Sequence, residues 1–78
     1  MFYTYCLQNK KNKELYYGYS NDLKRRLTEH RQVDKKWILI YYEAYRSEND
    51  ARKREKKLKH YGQSRTHLKR RISESLLT

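Results

Sequence analysis

One carboxylate stands at a position where a helix would normally turn an apolar residue towards a sheet. Glu55 follows Ala51 by four residues and precedes Leu58 by three, so on a helix it shares their inward face. An inward carboxylate is tolerated when it is bound to a metal or paired with a cation. The pattern therefore indicates either a metal ligand or an ion pair within the helix, for which the candidate partners are Arg52, Arg54, Lys56 and Lys57.

A second charged residue, Arg26, borders another apolar stripe. It lies three residues after Leu23 and four before His30, so a helix would place it beside the stripe and not on the outer face. Its guanidinium either holds a phosphate group through its fork of donors or extends to water along an apolar surface. His30 either accepts a proton, positions a phosphate or ends its helix as a partly charged cap.

Nine tyrosines give this short chain most of its large rings. Tyr5 and Tyr16 lie in two aromatic runs, and they are either core residues or hydroxyl donors that converge on a phosphate and an attacking water. Tyr41, Tyr42 and Tyr45 are predicted to be packing residues.

The first half of the chain predicts a hairpin, a helix and a further strand. Aromatic and β-branched residues at Phe2–Leu7 and at Leu15–Tyr19 predict two strands, and the short polar segment between them predicts an antiparallel hairpin. Three candidate N-cap residues, Ser20, Asn21 and Asp22, and helical spacing after them predict a helix over 21–31. Trp37–Tyr45 is apolar at nearly every position, which predicts a central strand covered on both faces.

The second half predicts two more helices. Ser47 with Asp50 three residues later resembles a capping box, so a helix is expected over 48–61, ended by Gly62. A third helix is predicted from the apolar spacing of Leu68, Ile72 and Leu76. The expected element order is β-β-α-β-α-α, in a single domain over 1–78.

Charge points to a polyanionic partner. Twenty Lys and Arg stand against nine Asp and Glu, which gives a formal charge of +11. Nucleic acid is the expected partner, whereas no segment has the apolar face of a membrane-bound helix or the length of a membrane span. The single cysteine, Cys6, excludes an internal disulfide and a multi-cysteine zinc site, so we expect a reducing, cytoplasmic location.

The basic residues are concentrated near the C-terminus, where ten of the twenty lie between Arg52 and Arg71. This segment is predicted to form most of the phosphate-binding surface, which would contact the backbone without reading sequence. The predicted contacts are Arg25, Arg52, Lys53, Lys56, Lys59, Arg65 and Lys69.

Four short blocks together resemble a known nuclease family. They are Tyr3-Thr4-Tyr5, Tyr16-Tyr17-Gly18, Leu23 to Leu27 with His30, and Ala51 to Glu55. The chain resembles the GIY-YIG nucleases, which include homing endonucleases and a subunit of the excision repair nuclease, and it looks most like their small stand-alone bacterial members. Tyr3-Thr4 departs from the usual first motif, and the polar residue that often follows the glutamate helix has only Gln63 or Ser64 as counterparts.

The resemblance implies a fold and a mechanism. The fold would be α/β (α+β), with a three-stranded antiparallel sheet flanked by three helices. The resemblance further implies that Glu55 binds Mg²⁺ or Mn²⁺, that Tyr5 or Tyr16 orients or deprotonates the attacking water, and that His30 assists. Arg26 would stabilise the charged transition state.

The expected function is therefore metal-dependent endonuclease cleavage of nucleic acid. DNA is favoured over RNA, in repair or recombination, and the chain would act as a monomer or weak dimer, with a protein partner to direct it. The alternative is a nucleic-acid-binding protein that retains the fold without cutting.

Overall fold

The computed structural model describes residues 1–77, and its elements follow the predicted order. They are β1 (Phe2–Asn9), β2 (Leu15–Ser20), α1 (Leu23–Val33), β3 (Trp37–Tyr45), α2 (Glu48–His60) and α3 (Gly62–Arg71). The three strands form one antiparallel sheet with helices on both faces, so the predicted fold class is confirmed.

The central strand is β1, not β3. The strand order is β2-β1-β3, and β1 is buried from Thr4 to Asn9. β3 is an edge strand whose residues are only half-buried or exposed, so the prediction that Trp37–Tyr45 forms the central strand is wrong. An unbroken apolar run does not reveal how many neighbours a strand has, because that depends on pairing with distant segments.

The sheet separates two layers of helix. Side chains alternate along β1, so Tyr5 faces α1 while Thr4 and Cys6 face α2 and α3. The Thr4 hydroxyl donates a hydrogen bond of 2.7 Å to the carbonyl oxygen of Ala51 in α2. Cys6 belongs to the main apolar cluster, together with Tyr17, Leu58, Leu68 and Ile72.

Side-chain caps fix where two helices begin. Asp22 accepts a hydrogen bond of 3.1 Å from the backbone N–H of Arg25, so α1 begins two residues later than predicted. Ser47 accepts one of 3.4 Å from Asp50, which confirms the predicted cap of α2.

The end of α2 differs from the prediction. The helix ends at His60 because Tyr61 has an extended backbone, with φ −116° and ψ 111°. Gly62 has no positive φ and is the first residue of α3, so its predicted role as the terminator of α2 is wrong.

The apolar stripe predicted for the third helix packs against the core. Leu68 and Ile72 are buried, and Leu76 packs against the same cluster from the turn that follows α3. Within residues 1–77, none of the helices has the length and apolar character needed to cross a membrane.

A polar network joins β3 to α2. The Glu43 carboxylate accepts hydrogen bonds from the hydroxyls of Tyr41, at 3.0 Å, and Tyr45, and from Arg54 Nε at 3.0 Å. Tyr41 and Tyr45 therefore have a polar as well as a packing role. Tyr42 packs against the ring of Tyr3 but is 52% exposed, so it is not the core packing residue that was predicted.

The single cysteine lies between the sheet and the two helices α2 and α3. Cys6 is 1% exposed and is a free thiol. Burial raises the pKa of this thiol to about 12, even though the charge of Lys69 lowers it.

Candidate active site

Tyr5 lies at the centre of the candidate site, packed closely against Gly18. The two residues are directly opposite each other on β1 and β2, and Tyr5 is 1% exposed. A Cβ atom at Gly18 would lie 2.4 Å from the Tyr5 hydroxyl oxygen and 2.5 Å from the ring carbon that bears it. Glycine is therefore required here by space, not by backbone conformation, because its φ is not positive.

Three rings from β1, β2 and α1 meet above this glycine. Tyr5 Oη lies 2.9 Å from His30 Nε2, within hydrogen-bonding distance. The ring of Tyr16 lies 4.7 Å from that of His30 and 6.3 Å from that of Tyr5, measured between centroids. The structure thus brings together three residues that are distant in sequence.

Arg26 lies one turn before His30 on α1 and borders the same group. Its guanidinium forms an ion pair of 3.2 Å with Glu29. Hydrogen bonding to Glu29, and then to Tyr5, raises the pKa of Arg26, so it is a permanent cation beside the tyrosine hydroxyls.

Burial and the Arg26 charge set the protonation states here. Burial raises the pKa of Tyr5 to about 12, although Arg26 lowers it. Burial, followed by the charge of Arg26, lowers the pKa of His30 below its usual 6.5. Near neutral pH, Tyr5 therefore keeps its proton and His30 is an uncharged imidazole.

Glu55 approaches this group from α2. Its side chain is 22% exposed and forms an ion pair of 3.1 Å with Lys59, one turn further along the helix. Lys59 is none of the four partners predicted from the sequence, so that part of the prediction is wrong. The Lys59 ammonium in turn lies 5.6 Å from the centroid of the Tyr16 ring. The negative charge of Glu55 is near enough to contribute to the raised pKa of Tyr5, after burial and Tyr16.

The donor set around Glu55 suits a metal that keeps most of its water. Within residues 1–77 no group of three or more His, Cys, Asp or Glu side chains could hold a metal ion. Mg²⁺ commonly binds through one or two carboxylates plus water and substrate phosphate. A single Glu55 carboxylate fits that pattern, provided that Lys59 releases it.

Comparison with known protein families agrees with this arrangement. The family model of the GIY-YIG catalytic domain matches residues 1–69. The chain belongs to the GIY-YIG family. The match runs from β1 into α3 and includes all of the residues just described. No curated protein and no solved structure matches the chain.

Family membership sets a coarse function. GIY-YIG domains are usually endonucleases and generally depend on a divalent metal, so the substrate class is nucleic acid.

Two predicted basic residues surround a polar pocket beside the GIY-YIG site. Arg25 and Arg52 line a pocket of about 380 Å³ together with Arg26. The Arg52 guanidinium lies 4.4 Å from the centroid of the Tyr19 ring and 3.6 Å from Glu48.

Glu55 itself lines a second pocket, of about 370 Å³, whose wall includes three of the predicted basic residues. They are Arg52, Lys53 and Lys56. A phosphate group entering this pocket would meet the carboxylate and these cations together.

The remaining predicted basic residues have different surroundings. Lys59 is bound to Glu55, and Lys69 is exposed on α3. Arg65 donates two hydrogen bonds of 2.9 Å to the carbonyl oxygens of Leu58 and Lys59, at the end of α2. Its guanidinium therefore caps that helix, which is a structural role that the sequence pattern does not indicate.

Three residues near the GIY-YIG site were missed in the sequence. Glu29, the ionic partner of Arg26, is detectable in principle from its i, i+3 spacing. Trp37 packs its ring 6.3 Å from Tyr16, and Tyr19 donates a hydrogen bond of 2.7 Å to Glu48. These two contacts join distant segments, so no local pattern signals them.

Gln63 and Ser64, the suggested counterparts of the family's polar residue, lie in the first turn of α3.

Proposed function

We propose that this chain is a divalent-metal-dependent endonuclease that hydrolyses phosphodiester bonds in DNA, with a role in repair or recombination. The observation that carries the proposal is the convergence of Tyr5, Tyr16, His30 and Arg26 above Gly18, with Glu55 beside them. Hydroxyl, imidazole, guanidinium and carboxylate groups are together sufficient for phosphate hydrolysis assisted by a metal.

His30 is the proposed proton acceptor. Its lowered pKa keeps the imidazole uncharged at neutral pH, so it is able to take a proton from the attacking water. When Nε2 carries the proton, His30 donates to Tyr5 and the lone pair of Nδ1 is left to act as the base.

The two tyrosines have different proposed roles. Tyr5 is buried and its pKa is about 12, so it acts as a positioning residue that fixes the His30 ring and not as a base. Tyr16 is only half-buried, and its hydroxyl orients the attacking water.

Charge stabilisation falls to Arg26 and Glu55. The Arg26 guanidinium donates to the phosphate oxygens as negative charge develops on them. Glu55 would hold Mg²⁺ or Mn²⁺, which supplies Lewis-acid neutralisation of a non-bridging phosphate oxygen. The ion pair with Lys59 keeps the carboxylate in place before the metal binds.

DNA binding is assigned to exposed basic residues on the three helices. Arg25, Arg52, Lys53 and Lys56 border the two pockets, Lys59 lies beside Glu55, and Lys69 is on α3. Such contacts do not read sequence, so the structure of the substrate or a protein partner would direct the protein to its target. We further propose that it acts in the cytoplasm, as a monomer or weak dimer.

The proposal is tested by nicking of supercoiled plasmid with Mg²⁺, with Mn²⁺ and with chelator. We expect metal-dependent nicking that Glu55→Gln reduces by at least about 100-fold, the scale on which loss of a transition-state contact acts. Glu74→Gln, which neutralises an exposed carboxylate after α3, is the matched control and should nick normally.

Filter binding of the same DNA separates cutting from binding. Glu55→Gln should retain the affinity of the wild-type protein. Tight binding by the wild type with no nicking under any condition would favour the alternative, a non-catalytic nucleic-acid-binding protein in which the Glu55–Lys59 ion pair is purely structural.

A further inference from the structure

A second groove, separate from the polar pockets, runs between α1 and β3. We call it the α1–β3 groove, and its apolar wall consists of Tyr3, Leu23, Leu27, Leu39 and Tyr42. Its volume is about 520 Å³, within the range of small-molecule sites. None of the mechanistic roles proposed above uses this groove.

The aromatic wall of the groove includes a ring that is open to solvent. Tyr42 is 52% exposed, which is unusual for a large ring on a sheet face beside a helix. It packs against Tyr3 in a T-shaped arrangement, with ring centroids 5.9 Å apart and an interplanar angle of 70°. A planar ligand would find one open aromatic face here, and Leu23 and Leu27 on the opposite wall.

The rim of the groove is polar and carries charges of both signs. Asn21 offers an amide that both donates and accepts hydrogen bonds, Lys24 offers an ammonium, and Asp22 is a carboxylate that caps the start of α1. A heterocycle joined to a phosphate has the matching chemistry, with a flat face, polar edges and a negative charge.

The net charge selects this occupant over a second copy of the chain. Each copy carries +11, so self-association through this groove would bring two strongly positive molecules together. A polyanion with exposed bases is attracted by the same field.

The groove is also continuous with the proposed catalytic site. Tyr42 on β3 is the direct partner of Tyr5 on β1, and neighbouring strands are about 4.8 Å apart. Asn21 lines both this groove and the polar pocket that contains Arg26. A strand bound across both would have a phosphate at Arg26 and a base against Tyr42.

We infer that the α1–β3 groove is a stacking site for one unpaired nucleobase of the strand to be cut, with Tyr42 as the stacking residue. The inference rests on the proposed function for its substrate. It implies that single-stranded or distorted DNA binds more tightly than intact duplex, because a paired base would first have to leave its stack.

The test compares a short, fluorescein-labelled thymidine oligomer with an abasic oligomer that has the same number of phosphates. Binding is followed by fluorescence anisotropy in chelator, where no cleavage occurs. Tyr42→Ala should weaken binding of the thymidine oligomer roughly five- to a hundredfold, the range for loss of one base–aromatic stack, and leave the abasic oligomer unaffected.

Two further variants control for the loss of a ring and for folding. Tyr42→Phe keeps the ring and should bind both oligomers as the wild type does. Tyr61→Ala removes another exposed tyrosine, 62% exposed and outside the groove, and should not change the difference between the oligomers. Thermal unfolding of each variant confirms that the comparison is made between folded proteins.

Three outcomes would overturn the stacking site. They are unchanged thymidine binding by Tyr42→Ala, an equal loss for both oligomers, or sedimentation showing a dimer that Tyr42→Ala dissociates. The titration does not depend on cleavage. Base-dependent binding without plasmid nicking would overturn only the nuclease proposal, whereas nicking without a difference between the oligomers would overturn only the stacking site.

Discussion

His30 links the local electric field to pH dependence. Because burial and the Arg26 charge lower its pKa, the imidazole stays neutral to below pH 6.5 and protonates only in more acidic solution. We therefore expect nicking activity to persist at pH 6.5 and to fall in more acidic solution, as His30 gains its proton.

An NMR titration of the His30 ring tests the cause directly. Arg26→Gln removes the nearby positive charge, so the pKa of His30 should rise towards 6.5. Arg70→Gln removes the same charge from exposed α3, which packs on the opposite side of the sheet, and should leave the His30 titration unchanged. Equal effects of both substitutions would show that Arg26 does not act locally.

The close contact between Gly18 and Tyr5 predicts that a larger residue at position 18 destabilises the protein. In Gly18→Ala the new Cβ would meet the Tyr5 hydroxyl at 2.4 Å, so the ring must leave its position beside His30. We expect urea denaturation to show a loss of about 1–3 kcal/mol in unfolding free energy, as for overpacked cores.

Gly62→Ala is the matched control for this substitution. The nearest atom to its Cβ would be Arg65 Nη2 at 3.8 Å, an ordinary contact, and alanine favours the helix. Its stability should equal or slightly exceed that of the wild type. If Gly18→Ala unfolds at the same urea concentration as the wild type, the close packing of Tyr5 on this glycine does not constrain the site.

Among the elements, α2 is joined to β3 by the ion pair between Arg54 and the Glu43 carboxylate. Glu43→Gln would leave Arg54 without its ionic partner, and both side chains are mostly buried, at 16% and 23% exposure. We expect a loss of about 1–3 kcal/mol in unfolding free energy, measured by urea denaturation. Glu14→Gln, in the exposed hairpin loop, should have no effect, and similar losses for both variants would contradict the role of the network.

The sequence predicted elements well where the signal was local. The hairpin, the caps at Asp22 and Ser47 and the third apolar stripe depend on residues within a few positions of one another. The central position of β1 depends on its pairing with β2 and β3, and the composition of a strand does not show whether it is central or at an edge. Gly62 follows α2 as a terminator would, but the extended backbone of Tyr61 ends that helix first.

Across the whole molecule, the site could be predicted from the sequence as a set of residues but not as a geometry. The spacing of Arg26 and Glu55 beside apolar stripes already indicated inward-facing charges. Lys59 follows Glu55 by four residues, so the i, i+4 spacing could have identified it as the ionic partner. That Arg65 would cap α2 depends on side-chain directions that spacing alone leaves open. The exposure of the Tyr42 ring could not be predicted either, because Tyr42 lies within a run of apolar residues.

The charge of +11 predicts strongly salt-dependent binding to DNA. If exposed Lys53 contacts a phosphate, Lys53→Ala should reduce the slope of log affinity against log salt concentration by about one, without changing stability. Arg65→Ala should instead lower the thermal midpoint, because its guanidinium caps α2. Anisotropy titrations over a salt series, with thermal melts, distinguish the two roles, and a lower midpoint for Lys53→Ala would contradict this division.

Because the thiol of Cys6 is buried, we expect the native chain not to react with thiol-directed labels. With 1% exposure and a pKa of about 12, Cys6 offers maleimide reagents neither access nor thiolate at neutral pH. A cysteine introduced at an exposed position, such as Val33 at the end of α1, would therefore carry the label alone. Distances from that dye to labelled DNA can then be measured without first replacing a residue of the apolar core.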